Sequence, residues 1–219
     1  MKFKTFIAAM VATASMAFAA NINLQDIFTD EGYAKAVEAL KTIDATPAKK
    51  QWYTEYISLG PNFKNVNFST ISYAEIKSRA LDVSPLVFDA FFCNMFRKNA
   101  KAVDGYLADT SFNDPSVTYK KFVVLPGRVS PSVLKSVNAA NFCGVVLKGA
   151  SSSYAAEPAC VPFFKAGVAN MIAKTDDLPR EKALSMLRDL KRIVYKNIIV
   201  DNDWKQLLTD LEIKIQSLQ

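Results

Sequence analysis

The chain contains no histidine in its 219 residues, and this absence excludes several kinds of chemistry. Ser-His-Asp and Cys-His nucleophile pairs cannot form, nor can zinc sites that use imidazole ligands. Three cysteines are present and none is in a C-x-x-C spacing, so thiol-oxidoreductase and cluster-binding motifs are missing as well. The composition therefore excludes most familiar hydrolases of the cell exterior, and we expect neither a metal nor another cofactor.

Long apolar segments are also missing, apart from one at the N-terminus. Lys2 and Lys4 precede an apolar stretch from Phe6 to Phe18, and Ala17-Phe18-Ala19 matches the small-x-small cleavage pattern. This arrangement is typical of a secretory signal peptide, and the stretch is shorter than the ~20 residues of a spanning helix. We therefore predict a signal peptide over residues 1–19 and no transmembrane segment after its removal. The protein is expected in the periplasm or outside the cell, and the short KFK start favours a bacterial source.

Export would place the cysteines in an oxidising compartment, where two of the three could pair. Cys143 and Cys160 close the shortest loop, and in the chain-entropy model such a loop would stabilise the fold by roughly 3 kcal/mol. We predict this bridge. Cys93 would then be a free thiol, either buried as a small hydrophobe or available to another chain.

The remaining residues, 20–219, are predicted to form a single domain. Half of the chain is hydrophobic and 22% is charged, which is the balance of an ordinary globular protein, and no low-complexity linker or internal repeat divides it. Removal of Lys2 and Lys4 lowers the formal net charge from +6 to +4, and the other lysines are dispersed. A nucleic-acid-binding surface would instead have a dense basic stripe, so no nucleic-acid partner is expected.

Helix start signals predict a mainly α, compact multi-helix domain. Threonine and serine favour the position before the first residue of a helix, and such residues predict that helices begin after Thr29, Thr46, Ser72, Ser84 and Ser130. The second of these is expected to end before Gly60, and a further helix is predicted to begin at Pro158 or Pro162. Two more, over 179–199 and 204–218, are joined by a short turn, so the domain is expected to end in a helical hairpin over residues 179–218.

Two short runs of β-branched and aromatic residues interrupt this series of helices. They are KFVVL, residues 121–125, and FCGVVL, residues 142–147, and both are bounded by turn-forming residues. Such runs are typical of strands. We therefore predict a small two-stranded β element near residues 121–147, which leaves an α+β fold as the alternative.

The helix that begins after Ser84 has an unusual concentration of aromatic residues. Phe88, Phe91, Phe92, Met95 and Phe96 recur at helical spacing and form one face, whereas Cys93 lies on its flank. A stripe of this kind usually belongs to the core of a helical domain. The alternative is a cavity for an apolar ligand such as an acyl chain, which Trp52 and Tyr56 of another helix would also line.

One catalytic spacing occurs, the S-x-x-K formed by Ser132 and Lys135. This spacing resembles that of penicillin-binding proteins and class A β-lactamases, in which the lysine lies one helical turn from the serine that it activates. The K-T-G and S-D-N motifs of those enzymes are missing, so a four-residue match is typical of chance.

The apolar face of the last helix is the candidate surface for a partner. Its members are Trp204, Leu208, Leu211 and Ile215, with Ile213 off the main stripe. They would be covered by the rest of the domain, or by another protein or subunit if the hairpin stands apart. The sequence thus favours an exported, non-enzymatic protein that binds another protein or an envelope component. The alternatives are a carrier or sensor of an apolar ligand, and a serine-lysine or carboxylate hydrolase of the cell wall.

Overall fold

The computed structural model describes residues 22–110, 119–197 and 202–219. These residues form eleven α-helices, one π-helix, two 3-10 helices and no strand, which confirms the predicted mainly α fold. The predicted signal peptide, residues 1–19, lies outside the described residues. The α-helices are α1 (Asp30–Thr42), α2 (Pro47–Asn62), α3 (Tyr73–Arg79), α4 (Pro85–Met95), α5 (Ala100–Ala108), α6 (Leu125–Arg128), α7 (Pro131–Ser136), α8 (Ala139–Ala150), α9 (Val161–Lys174), α10 (Arg180–Asn197) and α11 (Asn202–Ser217). The π-helix, π1, is Lys120–Val124, and the 3-10 helices are Ser153–Ala156 and Thr175–Asp177.

Side-chain caps explain where several helices begin. In six cases the residue before the helix accepts a hydrogen bond from the backbone N–H three residues later, and these caps are Thr29, Thr46, Ser72, Asn99, Ser130 and Asn138. Ser84 differs because its hydroxyl makes no cap, and its backbone N–H donates to Glu55 Oε2 at 2.9 Å instead. This bond connects the start of α4 to α2. The predicted helix starts are therefore confirmed, with a different partner at Ser84.

The two predicted strands are wrong. Residues 121–125 lie in π1 and at the start of α6, and residues 142–147 lie inside α8. Asn138 begins α8, since its side chain accepts a hydrogen bond from the N–H of Asn141 at 3.0 Å. Helices α5, α9 and α10 all pack against α8. A short apolar run that is buried on several sides is compatible with either a helix or a strand, and here the cap and the packing favour the helix.

Helix α2 continues beyond the predicted end before Gly60. It includes Gly60 and Pro61 and ends at Asn62. Pro61 lies in the last turn, where its missing N–H costs a single hydrogen bond. Gly60 has another role, because a Cβ atom at this position would overlap the carbonyl oxygen of Ile27. The glycine therefore permits close contact with the chain before α1 and does not end the helix.

The buried apolar side chains form one contiguous cluster that extends from Ile22 to Ile215. Helices α10 and α11 run antiparallel as a hairpin: Arg180 Nε donates to Leu218 O at 2.7 Å, and Lys191 Nζ lies 2.7 Å from Glu212 Oε1. The hairpin packs on α8 and α9 through its inner face. Among the described helices, none has both the length and the apolar character needed to cross a bilayer.

The segment π1–α6 packs against several other elements. Pro126 has no N–H to donate to Phe122 O, and the preceding Leu125 N–H bonds to Lys120 O, five residues back. The glycine at 149 in α8 packs directly on Phe122 O, where a Cβ atom would overlap. On the other side, Asn170 Nδ2 of α9 donates to Pro126 O at 3.0 Å. The π-helix therefore accommodates the proline, and tight contacts with α8 and α9 hold it in place.

Candidate functional site

The predicted apolar cluster lies in an aromatic core. Four of its phenylalanines and Tyr56 are buried, Met95 and Trp52 are half-buried, and all belong to or pack on the same cluster; the phenylalanines are Phe88, Phe91, Phe92 and Phe96. The rings contact one another closely. The ring centroid of Phe91 lies 5.9 Å from that of Tyr56, and Tyr56 lies 5.1 Å from Trp52. The structure therefore brings the seven predicted residues together in one core, and their six aromatic rings pack on each other.

Helix α4 also has a second buried side, which the helical spacing of its aromatic residues did not predict. Asp89 and Cys93, four residues apart, lie on this side and are 0% and 2% exposed. Cys93 Sγ donates a long hydrogen bond to Lys120 O at 3.9 Å. This second side of α4 therefore packs against π1.

Two lysines at the start of π1 are buried with Asp89. Lys120 is 3% exposed and Lys121 is 2% exposed. Lys121 Nζ donates to the backbone oxygen of Asp109 and lies 5.0 Å from the ring centroid of Tyr106. Lys120 Nζ lies 5.7 Å from the ring centroid of Tyr119. We refer to Asp89, Cys93, Tyr119, Lys120 and Lys121 as the buried charged cluster.

Burial acts against the charged form of each ionisable group in this cluster. It raises the pKa of Asp89 well above the usual range, although the charges of Lys120 and Lys121 act in the opposite direction. Burial lowers the pKa of Lys120, which the Asp89 carboxylate opposes, and it lowers the pKa of Lys121 to about 8. Burial also raises the pKa of the Cys93 thiol, so this thiol is a poor nucleophile.

Several polar atoms in and beside the cluster have no hydrogen-bond partner. They are both carboxyl oxygens of Asp89, Nζ of Lys120 and the hydroxyls of Tyr119 and Tyr106. The backbone of Lys121 faces the Asp89 carboxyl and lowers its pKa, but it makes no hydrogen bond of ordinary geometry with either oxygen. Buried polar groups are nearly always hydrogen-bonded, so this concentration of unpaired atoms is the most unusual feature of the described residues.

Sequence reasoning did not identify this cluster, although two signals were present. Asp89 is a charged residue inside the apolar segment VFDAFFC, and Lys120-Lys121 directly precedes the apolar FVVL. Charged residues are almost never fully buried without a partner, so their place in apolar runs could have indicated a buried pair. Because the cluster is enclosed, it can stabilise the interior or hold a small guest, but it offers no open surface to a large substrate.

The predicted bridge between Cys143 and Cys160 is wrong, since both are free, buried thiols, as is Cys93. Cys143 lies near Lys174 at the C-terminal end of α9, whereas Cys160 directly precedes the first residue of that helix. A helix of 14 residues is about 21 Å long, and a disulfide requires Cα atoms within about 7 Å. Burial raises the pKa of Cys143 to about 12 and that of Cys160 to about 11.

The structure divides the predicted partner-surface residues into two groups. Four of them are buried and pack into the domain: Trp204, Leu208, Leu211 and Ile215. Trp204 lies 5.6 Å from Phe164 of α9, measured between ring centroids. Ile213 lies on the opposite side of α11 and is 59% exposed. Most of this candidate surface is therefore covered by the chain itself, and Ile213 remains accessible.

The S-x-x-K spacing lies on α7, a helix of six residues. Ser132 and Lys135 are both exposed, and the Ser132 hydroxyl oxygen is 3.0 Å from that of Ser130. No hydrogen bond between Ser132 and Lys135 is present in this part of the described chain. Acidic and thiol side chains also form no group of three or more that could hold a metal ion within the residues described.

Comparison with protein-family models, with curated protein sequences and with solved structures found no match to this chain.

Proposed function

We propose that this is an exported, non-enzymatic protein that acts by binding another protein or an envelope component through the outer side of its C-terminal hairpin. The observation that carries the proposal is the distribution of exposed apolar side chains. Three large apolar residues are exposed in the described part of the chain, namely Leu81, Tyr195 and Ile213. Two of them lie on the hairpin, Tyr195 on α10 and Ile213 on α11.

The surroundings of these two residues support the proposed protein-binding surface. Tyr195 lies one helical turn from Lys191, whose Nζ is 5.9 Å from the tyrosine ring centroid. Lys191 also pairs with Glu212, the neighbour of Ile213 on α11. Tyrosine and large aliphatic side chains within a charged rim are typical of interfaces, in which few residues supply most of the binding energy.

The aromatic core gives less support to the alternative of an apolar-ligand carrier. A ligand cavity requires free volume between its lining side chains. The ring centroids of Phe92 and Tyr106 are 4.0 Å apart, and those of Phe91 and Phe63 are 4.7 Å apart, so these rings fill the interior by contacting each other. The exposed position of Ser132 likewise gives no specific support to a serine-lysine hydrolase.

A capture experiment with the mature protein, residues 20–219, tests the proposed binding. The protein would be immobilised and exposed to the envelope fraction of its own cells, at the ratio of protein to envelope that occurs in those cells. Bound proteins and lipids would then be identified by mass spectrometry. We expect one reproducible partner, and we expect Ile213→Asp to weaken its binding about tenfold or more, which corresponds to about 1.4 kcal/mol.

Matched variants show whether the hairpin is responsible for binding the captured partner. Ile213→Val keeps an apolar side chain and should bind as the wild type does. Leu81→Asp changes an exposed residue outside the hairpin and should also leave binding unchanged. Both positions should tolerate these changes structurally because the side chains are exposed, which circular dichroism would check for all three variants. Capture of no partner at all, or loss of binding with Leu81→Asp alone, would contradict the proposed surface.

Export is tested separately from binding. If residues 1–19 are a signal peptide, the protein isolated from its native cells begins at Ala20. N-terminal sequencing and the intact mass measure this directly. A protein that retains Met1 or Lys2 and is found in the cytoplasm would exclude export, whatever the capture experiment shows.

A further inference from the structure

The buried charged cluster contains an acidic and a basic side chain that form no hydrogen bond with each other. Asp89 lies on α4 and Lys120 on π1, and these two elements pack together. Cys93, one helical turn after Asp89 on the same side of α4, contacts Lys120 O at 3.9 Å, and Asp89 and Lys120 each influence the pKa of the other. Even so, neither oxygen of Asp89 has a hydrogen-bond partner, and neither does Nζ of Lys120. The carboxyl and the amine are therefore close neighbours without a direct bond.

The hydroxyl of Tyr119 is the third unpaired group in this region. Tyr119 directly precedes Lys120, its hydroxyl has no partner, and the nearby Asp89 carboxyl contributes to a raised pKa of Tyr119, after the larger effect of burial. The ring of Tyr119 is covered by Tyr154, with the two centroids 4.9 Å apart. The phenol thus lies in the interior with a hydroxyl that could both donate and accept a hydrogen bond.

Nearby cationic groups have partners of their own. Lys121 Nζ donates to Asp109 O, and Arg128 Nη1 donates to Asn94 Oδ1 at 3.2 Å. Among the buried basic groups described in this region, Lys120 is thus the one whose nitrogen is unpaired, and Asp89 is its acidic counterpart. The pair needs hydrogen bonds, but its charges already match, so no ion is required to balance them.

We propose that ordered water binds between the Asp89 carboxyl, the Lys120 amine and the Tyr119 hydroxyl, and joins α4 to π1 through a hydrated, buried pair. Water fits this set of groups because it donates to the carboxyl oxygens and accepts from the amine in the same position. A buried water molecule typically makes about three hydrogen bonds, and these three residues supply that number. Leaving the atoms unpaired would instead incur the full cost of desolvation.

The direct test is a crystal structure of the mature protein at about 1.5 Å resolution or better. We expect water density within about 2.6–3.2 Å of an Asp89 carboxyl oxygen and of Lys120 Nζ. A second crystal grown in bromide instead of chloride distinguishes water from an anion. An anomalous bromide peak at the site, or a direct contact of the Asp89 carboxyl with Lys120 Nζ and no density between them, would overturn the proposal.

Variants test whether the bridged pair acts as a unit. Lys120→Met and Asp89→Leu each leave one charged group buried alone, whereas the double variant replaces both with apolar side chains. We expect each single variant to lower the folding equilibrium constant by about 100-fold or more, and the double variant to lower it by less than the product of the two. Crystals of the double variant should lack the water. Additive effects would contradict the coupling, and if a single variant does not fold, the wild-type density alone decides.

Discussion

Truncation of Phe91 distinguishes a packed aromatic core from a ligand cavity. The ring of Phe91 has no exposed surface, and its centroid lies between 4.7 and 5.9 Å from those of four other rings, which are Phe28, Tyr56, Phe63 and Phe96. These rings come from different parts of the chain, so they cannot easily move together to fill a void. The variant Phe91→Ala should therefore leave most of the ring volume empty.

The expected loss follows from the buried area. A buried aromatic side chain removes about 150–250 Å² from water, and at about 25 cal/mol per Å² this amounts to about 4–6 kcal/mol. Measured Phe→Ala substitutions in cores cost about 3–5 kcal/mol. We therefore expect Phe91→Ala to lower the free energy of unfolding by about 4 kcal/mol, a large part of the 5–15 kcal/mol that is typical of a domain.

Urea unfolding of the mature protein, followed by far-UV circular dichroism, measures this change. Phe91→Leu keeps most of the apolar volume and should cost clearly less, and Leu81→Ala, at a residue that is 75% exposed, should change the free energy by less than about 0.5 kcal/mol. If the ring lined a cavity, its truncation would enlarge an existing void and leave fewer contacts to lose. A loss below about 2 kcal/mol for Phe91→Ala would refute the packed core.

Three further predictions concern other parts of the structure. In α8, Gly149→Ala should destabilise the protein by about 1–3 kcal/mol because the added Cβ would overlap Phe122 O. Gly144→Ala is the control: no atom lies within 4 Å of its added Cβ, so this variant should be neutral or stabilise the protein by up to about 1 kcal/mol. Equal urea-unfolding midpoints for the two variants would contradict the packing of α8 on π1. The three cysteines should react with a thiol reagent only after unfolding, and the intact mass should be the same with and without reductant; a mass lower by two hydrogens would reveal a disulfide. Burial lowers the pKa of Lys121 to about 8, so between pH 8 and about 10.5 the unfolded chain binds more protons than the folded one, and the free energy of unfolding should rise with pH. The rise should reach at most about 3 kcal/mol and should be reduced in Lys121→Met; the same pH profile in both proteins would show that Lys121 is not buried.

The parts of the fold that local chemistry determines could be predicted from the sequence. Thr29, Thr46, Ser72 and Ser130 mark helix starts because a side-chain oxygen can bond only to N–H groups a few residues away. The spacing of the phenylalanines placed them on one face of α4, because the angle between two residues around a helix depends only on how far apart they are in the sequence. Position along a helix and the identity of a cap depend on neighbours in the sequence, and no distant part of the chain is needed to specify them.

The remaining features depend on contacts between distant residues. Residues 142–147 have β-branched side chains that suit a strand, but packing against several helices decides their conformation. Cys143 and Cys160 are close in sequence, yet α9 separates their environments. Asp89 lies outside the aromatic stripe of α4, and its burial results from π1, which begins 31 residues later. A helical wheel treats each helix as having one buried face, so it could not identify this second one.

The π-helix also determines which residues of its segment face the interior. A π-turn contains one residue more than an α-turn, and one residue rotates a helix by about 100°. If residues 120–128 formed a regular α-helix, Lys120 would rotate by that angle relative to α6 and turn away from Asp89. Pro126, which cannot donate to Phe122 O, therefore determines the direction in which the side chain of Lys120, six residues earlier, points from the helix axis. A substitution at Pro126 would be expected to change the charge pairing of the interior without altering any charged residue.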